Sequence, residues 1–579
     1  MSDKTGSKMD DKLTTYREAS GSLPATSKLW PLYGPGLDML GIDGKPINVP
    51  FPQVGPDELL VRHDACGLCF SDIKVIKTGQ EHPRIYRNMA EDPVVLGHEV
   101  SLTVVEAGEN LRDQYKAGDR FIIQADIFLS GISYAYGYEL QGGLSQYNLI
   151  DWRVLNGDHG NYLIPVQDST GYAESALTEP WACVIAAYQL QYRTAIKGGG
   201  TTWVIGTHRA PDMAYTINAG FDQASHPARL LLTDVPAEFE TWLKGKSQSL
   251  DIQVEEVSDI RQVPIETIDD IILLGADAEI IETASLRLAP YGIMVLIDDK
   301  PMARKVQVDV GRIHYNRWVY VGGSQGDIAQ AYSNHPVRST IKPGGRSWFV
   351  GAGGPMGRMH VQRAIQISES PSTILCTDVS DLRLEDLCRS FGAEAAAKDI
   401  EFICLNPMNK VDYQAGMQAL KNPGFDDIIV LAPIPAIVSE AAEYLAPGGV
   451  MNIFAGLTRG TSASLDLSDA YTKNARIIGH SASTIDDLRL MLHQAESGEL
   501  SPNRSVAAIG SLEAAKDGLK SVLETTYPGK VVIFPQIKEF PLTALPDLKD
   551  RLPSVYSKLK DGHEWTVEAE EEFLRIMLP

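Results

Sequence analysis

The chain has 579 residues, 44% of them hydrophobic and 22% charged, and a formal net charge of -23. That length holds about three or four domains of ordinary size, and the balance is that of a soluble globular protein. The negative charge repels phosphate backbones and argues against a nucleic-acid partner; no apolar run reaches the ~18 residues of a membrane span; and six scattered cysteines are too few for a disulfide framework, so a reducing, cytoplasmic setting is expected.

Residues 1–25 are polar and acidic, with no apolar signal core, and are expected to be a loose or disordered tail. From 26 to 195 the pattern is mostly strand. DELLVRHDA, EVSLTVVEAG, DRFIIQADI and SQYNLI are short, rich in β-branched residues and bounded by turn formers. A barrel-like β domain follows, ending in a helix at TEPWACVIAAYQLQ, where Pro180 suits a first turn.

Residues 196–340 and 341–500 repeat one another. KGGGTTWVIG matches KPGGRSWFVG, ARLLLTDVP matches STILCTDVS, and IDDIILLGADAEIIETASLRLAPYG matches FDDIIVLAPIPAIVSEAAEYLAPGG. The register holds within each block and shifts only between blocks, which argues for a duplicated domain. Each copy alternates apolar strands with helical stretches, the pattern of a doubly wound parallel α/β sheet. Residues 501–579 carry a last strand, GKVVIFPQIKEF, able to rejoin the first domain, and then a charged helical tail. The expected fold class is therefore α/β plus β.

In the second copy a strand (SWFVGA) runs through Gly351, Gly353, Gly354, Pro355, Met356 and Gly357 into a helix. Glycines at such a turn let backbone N–H groups approach a pyrophosphate, and the helix N-terminus favours its charge. The fit to G-x-G-x-x-G puts Ala352 in the first glycine's place. Asp378 ends the next strand about 20 residues beyond Gly357, where a carboxylate binds the ribose 2′-OH and repels a 2′-phosphate. NAD is favoured, and Arg383 nearby leaves NADP open. The first copy keeps only Gly206 at this turn, with His208, Arg209 and Asp212 where backbone should approach phosphate. It is expected not to bind a dinucleotide in the usual way and to serve structure or assembly.

Metal-ligating residue types gather in DACGLCFSDIKV and VVLGHEV. Cys69, His98 and a carboxylate would make a zinc site with one position open for substrate. Taken alone, C-x-x-C and a single Gly-His-Glu are ambiguous. A structural zinc would need a second cysteine pair, so Cys66 reads as a small buried residue. His63, His82 and His159 read as surface or core residues, and Tyr134, Tyr136 and Tyr138 as packing or pocket wall.

CGLCFSD, GHEV, AGDRFIIQ, GGLSQY and ALTEPWACVIAAY, followed by a dinucleotide domain, resemble the zinc-dependent medium-chain dehydrogenase/reductase family of alcohol and polyol dehydrogenases. The resemblance spans all but the first ~25 residues, the extra α/β copy and the C-terminal tail. Within the family, LCFSD, IQADI and GYAESALTEPWACVIAAY are most similar to the L-sorbose-1-phosphate reductase-like branch and more distantly to sorbitol dehydrogenases. The resemblance implies a GroES-like catalytic domain over 26–195 and two tandem Rossmann-type domains, of which 341–500 binds NAD. It implies Cys69 and His98 as zinc ligands and Glu99 and Glu179 as the two glutamates at or near the metal. Ser71 becomes the hydroxyl of a proton relay, and Asp72 the carboxylate that orients the histidine. The implied reaction is hydride transfer between NAD(H) and a secondary alcohol or ketone of a polyol, sugar or sugar phosphate. No cysteine lies between Gln124 and Gly143, so one catalytic zinc and no structural zinc is expected. The duplicated domain departs from the common architecture, so subunit packing does not carry over and a homo-oligomer stays open. The rival readings are a non-catalytic dinucleotide-binding sensor or scaffold, and a zinc-free reductase of the same fold.

Overall fold

The computed structural model describes residues 12–333, 338–480 and 482–579. The chain forms two units, Met1–Ile185 with Ser483–Pro579, and Ala186–Ala482. The return to the first unit thus begins at Ser483, earlier than the expected 501, and the second unit opens at Ala186 rather than 196.

The first unit is built on an eight-stranded sheet. Its order is Leu163–Pro165, Arg120–Ile123, Glu99–Ala107, Leu59–Gly67, Lys530–Phe534, Val506–Ser511 and Thr543–Ala544, with Tyr147–Ile150 also paired to Leu59–Gly67. Strand Leu59–Gly67 is buried along its whole length, so it must satisfy its polar residues internally. Asp64 does this by accepting from Arg62 (2.7 Å), the Tyr16 hydroxyl (2.7 Å) and Thr103 (2.5 Å). His63 bonds the Ser145 carbonyl (2.9 Å) and the Tyr136 hydroxyl (2.7 Å), which makes it a core residue.

That network corrects one expectation. Residues 12–17, assigned to a loose tail, are helical, and Leu13 and Tyr16 are buried. The Arg62 guanidinium lies 3.5 Å from the Tyr16 ring centroid. Two apolar side chains and one buried polar partner outweigh the polar composition of the segment. Residues 1–11 of that expectation lie outside the described residues. At the other end, helix Val567–Met577 packs Phe573 and Leu574 against Phe534 and Leu177. Glu570 on this helix accepts the backbone N–H of Tyr172 and of Ala173 (2.7 Å), which caps helix Tyr172–Ala176.

The second unit contains two six-stranded parallel sheets of one topology. The first runs Gln253–Glu256, Arg229–Thr233, Thr201–Gly206, Ile268–Leu274, Leu288–Ile297, Val319–Gly323. The second runs Glu401–Leu405, Thr373–Thr377, Arg346–Val350, Phe425–Val430, Leu445–Ile453, Arg476–Gly479. The duplication extends to individual bonds. Lys197 pairs with Asp269 and Lys342 with Asp426; Arg193 pairs with Asp270 and Arg338 with Asp427. Trp203 Nε1 donates to Thr233 Oγ1 and Trp348 Nε1 to Thr377 Oγ1, each at 3.0 Å.

The copies share one core, which runs from Trp203 and Ile313 in the first to Tyr471 and Ile477 in the second. Edge strands Val319–Gly323 and Arg476–Gly479 lie side by side, and Val306–Asp309 pairs antiparallel with Ser462–Leu465. Gly479 is needed at this junction, because a Cβ there would stand 2.7 Å from the His314 Cα. Among the described residues no helix is long and apolar enough to cross a membrane.

Candidate metal centre and cofactor loop

Cys69 is the N-cap of helix Phe70–Thr78, and Asp72 Oδ2 accepts the Cys69 backbone N–H (2.9 Å), which fixes how the helix begins. Asp72 Oδ1 accepts the Gly97 N–H (3.3 Å) and stands 3.3 Å from His98 Nδ1. One carboxylate therefore ties together the two stretches that carry the candidate ligands. Gly97 has φ 99°, and a Cβ there would meet Cys66 Sγ at 2.6 Å, so only glycine lets the two segments approach. Cys66 is fully buried and burial pushes its thiol pKa well up, which fits a packing role.

The donor atoms of Cys69, His98 and Glu99 lie within 4.8 Å of one another, the one such metal-capable group among the described residues. Tetrahedral zinc with bonds of about 2.0–2.3 Å sets its ligand atoms roughly 3.3–3.8 Å apart, so a small inward shift completes the set. The surroundings also fit an ion. Glu99 is wholly buried, its Oε1 is ion-paired with Lys530 Nζ, and its Oε2 has no hydrogen-bond partner. A buried, half-satisfied carboxylate beside a thiol and an imidazole suits a cation.

Burial by itself would lower the His98 pKa, but Tyr138, Asp72 and Cys69 raise it well above the ordinary imidazole value. Burial keeps Tyr138 uncharged at neutral pH, which leaves Asp72 as the charge that acts there. The Tyr138 ring stacks on both His98 (centroids 5.7 Å apart) and His82 (5.2 Å), so this tyrosine is the packing wall of the site.

Glu179, at the start of helix Thr178–Ala186, stands outside the group of three. Burial raises its pKa to about 7, with His98 and Lys530 opposing and Glu99 adding to the rise. Ser71 is half-buried in the first turn of helix Phe70–Thr78. Lys530 is the member that sequence reasoning missed. It opens the apolar strand Lys530–Phe534, and burial of its side chain is outweighed by Glu99, Cys69 and Glu179, which hold its pKa above the ordinary value. The readable signal was a lone lysine heading a strand otherwise made of buried apolar residues.

In the second unit, strand Arg346–Val350 passes through Gly351 (φ 83°) into helix Pro355–Gln366, with Pro355 in its first turn and Gly354 as an N-cap without a side-chain bond. The helix N-terminus is thus uncovered by its own cap, as anion binding needs. A Cβ on Gly353 would meet Arg383 Cβ at 2.5 Å, and one on Gly357 would meet the Ala352 carbonyl at 2.4 Å. The first glycine admits close backbone approach; the second lets helix and strand pack. Asp378 is buried, its Oδ2 accepting the Gly353 N–H (3.0 Å) and its Oδ1 the Ser380 N–H (3.0 Å). Met356 is half-buried beside this turn. The structure brings Gly351, Gly353, Gly354, Pro355, Met356, Gly357, Asp378 and Arg383 to one turn.

The corresponding turn of the first copy has lost its helix. After strand Thr201–Gly206 no helix forms before strand Arg229–Thr233. Arg209 folds over the turn instead, with Nη2 3.2 Å from Asp298 Oδ2 and 3.1 Å from the Pro301 carbonyl. Pro211, Asn218 and Gly220 in the connecting segment disfavour a helix, and without one there is no N-terminal anion site.

Residues 55–157, which include Cys69, His98 and Glu99, match the model of the alcohol dehydrogenase GroES-like domain, and residues 355–497 match that of the zinc-binding dehydrogenase domain. Both matched domains are those of zinc-type dehydrogenases. Three relatives align with this dehydrogenase along most of its length. Uncharacterized protein YggP of Escherichia coli (strain K12) is 24% identical over 86% of this chain and 85% of its own. The mannitol-1-phosphate 5-dehydrogenase of Aliivibrio fischeri is 24% identical over 91% of this chain and 93% of its own. The L-sorbose 1-phosphate reductase of Klebsiella pneumoniae is 21% identical over 90% and 92%.

Proposed function

We propose that this dehydrogenase transfers a hydride between NAD(H) and a secondary alcohol or ketone of a phosphorylated polyol or ketose, as a cytoplasmic enzyme with one catalytic zinc and no structural one. The observation that carries the reading is the convergence of a thiol, an imidazole and a carboxylate within 4.8 Å. The substrate class rests on the two relatives named for sugar-alcohol and ketose phosphates, which align over nearly their whole length.

Cys69, His98 and Glu99 would hold the metal, with Glu179 as the second glutamate at or near it. When bound, Zn2+ supplies a Lewis acid for the alcohol oxygen and NAD supplies the hydride acceptor. Asp72 Oδ1 stands 3.3 Å from His98 Nδ1 and would orient the ring, leaving the other nitrogen for an ion. Lys530 anchors one oxygen of Glu99 and compensates its charge, leaving the other oxygen for coordination. The Ser71 hydroxyl takes the proton released by the alcohol and passes it towards solvent. The first-turn N–H groups of helix Pro355–Gln366 would donate to the cofactor pyrophosphate. Asp378 would accept the ribose hydroxyls, which favours NAD over NADP.

The test is a substrate panel on zinc-loaded protein: polyols, ketoses and their 1-phosphates with NAD, NADP or the reduced cofactors, followed by absorbance of the reduced nicotinamide. The reading expects turnover of a phosphorylated member, faster with NAD than NADP. Turnover confined to simple primary alcohols would overturn the substrate class. In Cys69→Ala, bound zinc should fall from about one per chain to near zero together with activity.

A further inference from the structure

Three free cysteines meet in the second α/β copy, outside the metal centre. Cys376 and Cys404 are register partners on adjacent parallel strands, so their side chains share a face of the sheet. Glu401–Leu405, which carries Cys404, is the edge strand of that sheet. Helix Asp381–Ala397 packs over this edge and brings Cys388 Sγ to 3.0 Å from Cys404 Sγ. Cys388 is exposed, Cys404 half-buried and Cys376 buried.

The three thiols differ in chemistry. Hydrogen bonds from Cys376, and then from Cys388, lower the Cys404 pKa to about 7 against the effect of burial. Burial raises the Cys388 pKa to about 12. The cysteine with the lowered pKa thus sits 3.0 Å from a solvent-facing thiol, the arrangement of an attacking and a resolving sulfur. The other cysteines lack it: burial pushes the Cys66 and Cys183 pKa values well up, and Cys69 belongs to the metal group.

We propose that Cys388 and Cys404 are a peroxide-oxidised dithiol site that staples helix Asp381–Ala397 to the edge of the cofactor-binding sheet. The Cys404 thiolate attacks one oxygen of hydrogen peroxide. The O–O bond breaks, hydroxide leaves and is protonated to water, and Cys404 becomes a sulfenic acid. Cys388 gives its proton to solvent and attacks the Cys404 sulfur. The S–O bond breaks, hydroxide leaves and takes up a proton as water, and the disulfide closes. Two thiols lose two electrons and two protons, and one peroxide becomes two waters. The stapled helix begins just after Asp378 and carries Arg383 beside Gly353, so the modification lies on the element that borders the cofactor turn.

The test treats full-length, zinc-loaded protein with one equivalent of hydrogen peroxide. Thiols are counted in denaturant and the cysteine peptides are mapped by mass. The proposal expects two of the six thiols to be lost, the Cys388 and Cys404 peptides to be cross-linked, and dithiothreitol to restore both. In Cys388→Ser, dimedone should label Cys404 as a trapped sulfenic acid. In Cys404→Ser, the same dose should leave Cys388 unlabelled. Retention of all six thiols under excess peroxide would overturn the proposal, and so would loss mapped to Cys69, Cys183 or Cys66 while Cys388 and Cys404 stay free.

Discussion

Glu99 has no solvent exposure and one cationic partner, so its charge depends on Lys530. Breaking such a pair from one side leaves an uncompensated buried ion, which costs roughly 3–5 kcal/mol. Lys530→Met should show that loss in denaturant unfolding of the metal-free protein, and adding Glu99→Gln to Lys530→Met should recover most of it. An equal loss in the double variant would mean that Lys530 acts through packing instead. Glu174 makes a second residue-scale prediction. Burial raises its pKa to about 7, with Glu570 and Glu496 adding to the rise. Its folded pKa lies above the unfolded value of 4.5, so folding takes up a proton and stability declines as pH rises from 4.5 to about 7. Glu174→Gln should therefore stabilise by about 1 kcal/mol at pH 8 and by little at pH 4.5, read from thermal unfolding at both values. Cys69, Asp72, His98 and Glu99 were legible in the sequence because they sit in two short motifs. Lys530 was not, because its place at the head of an apolar strand does not tell which carboxylate, 431 residues away, it serves.

At the scale of elements, one α/β pattern yields a cofactor turn in one copy and a plugged turn in the other. The strands were readable from the repeat. The degenerate glycine loop was readable as well, but the absence of the whole helix was not, because the segment's breakers, Pro211, Asn218 and Gly220, also fit an ordinary long loop before a helix. The docking of helix 12–17 was hidden for a related reason: composition averages over the segment, whereas packing depends on which side chains are buried, here Leu13 and Tyr16. The intact copy makes the sharper prediction. Gly357→Val would drive a side chain into the Ala352 carbonyl, which a Cβ already meets at 2.4 Å. Helix Pro355–Gln366 should move off its strand and the NAD dissociation constant should rise by about tenfold or more in a titration. An unchanged constant would remove that turn from the cofactor site.

At the scale of the whole molecule, the second copy's edge strand Arg476–Gly479 is already neighboured by the first copy's edge strand Val319–Gly323, inside one chain. Gly479→Val pushes on the His314 backbone at that junction and should cost about 1–3 kcal/mol. Because both edges belong to one polypeptide, the drop in thermal midpoint should not depend on protein concentration; a concentration-dependent midpoint would point to a partner subunit at this edge. The account as a whole rests on one zinc per chain held through Cys69, and zinc K-edge X-ray absorption of the zinc-loaded, full-length protein addresses that directly. The expected spectrum has a single sulfur neighbour at about 2.3 Å among nitrogen and oxygen neighbours at about 2.0–2.2 Å, and the sulfur disappears in Cys69→Ser. A zinc shell without sulfur, or one of several sulfurs that survives Cys69→Ser, would contradict it.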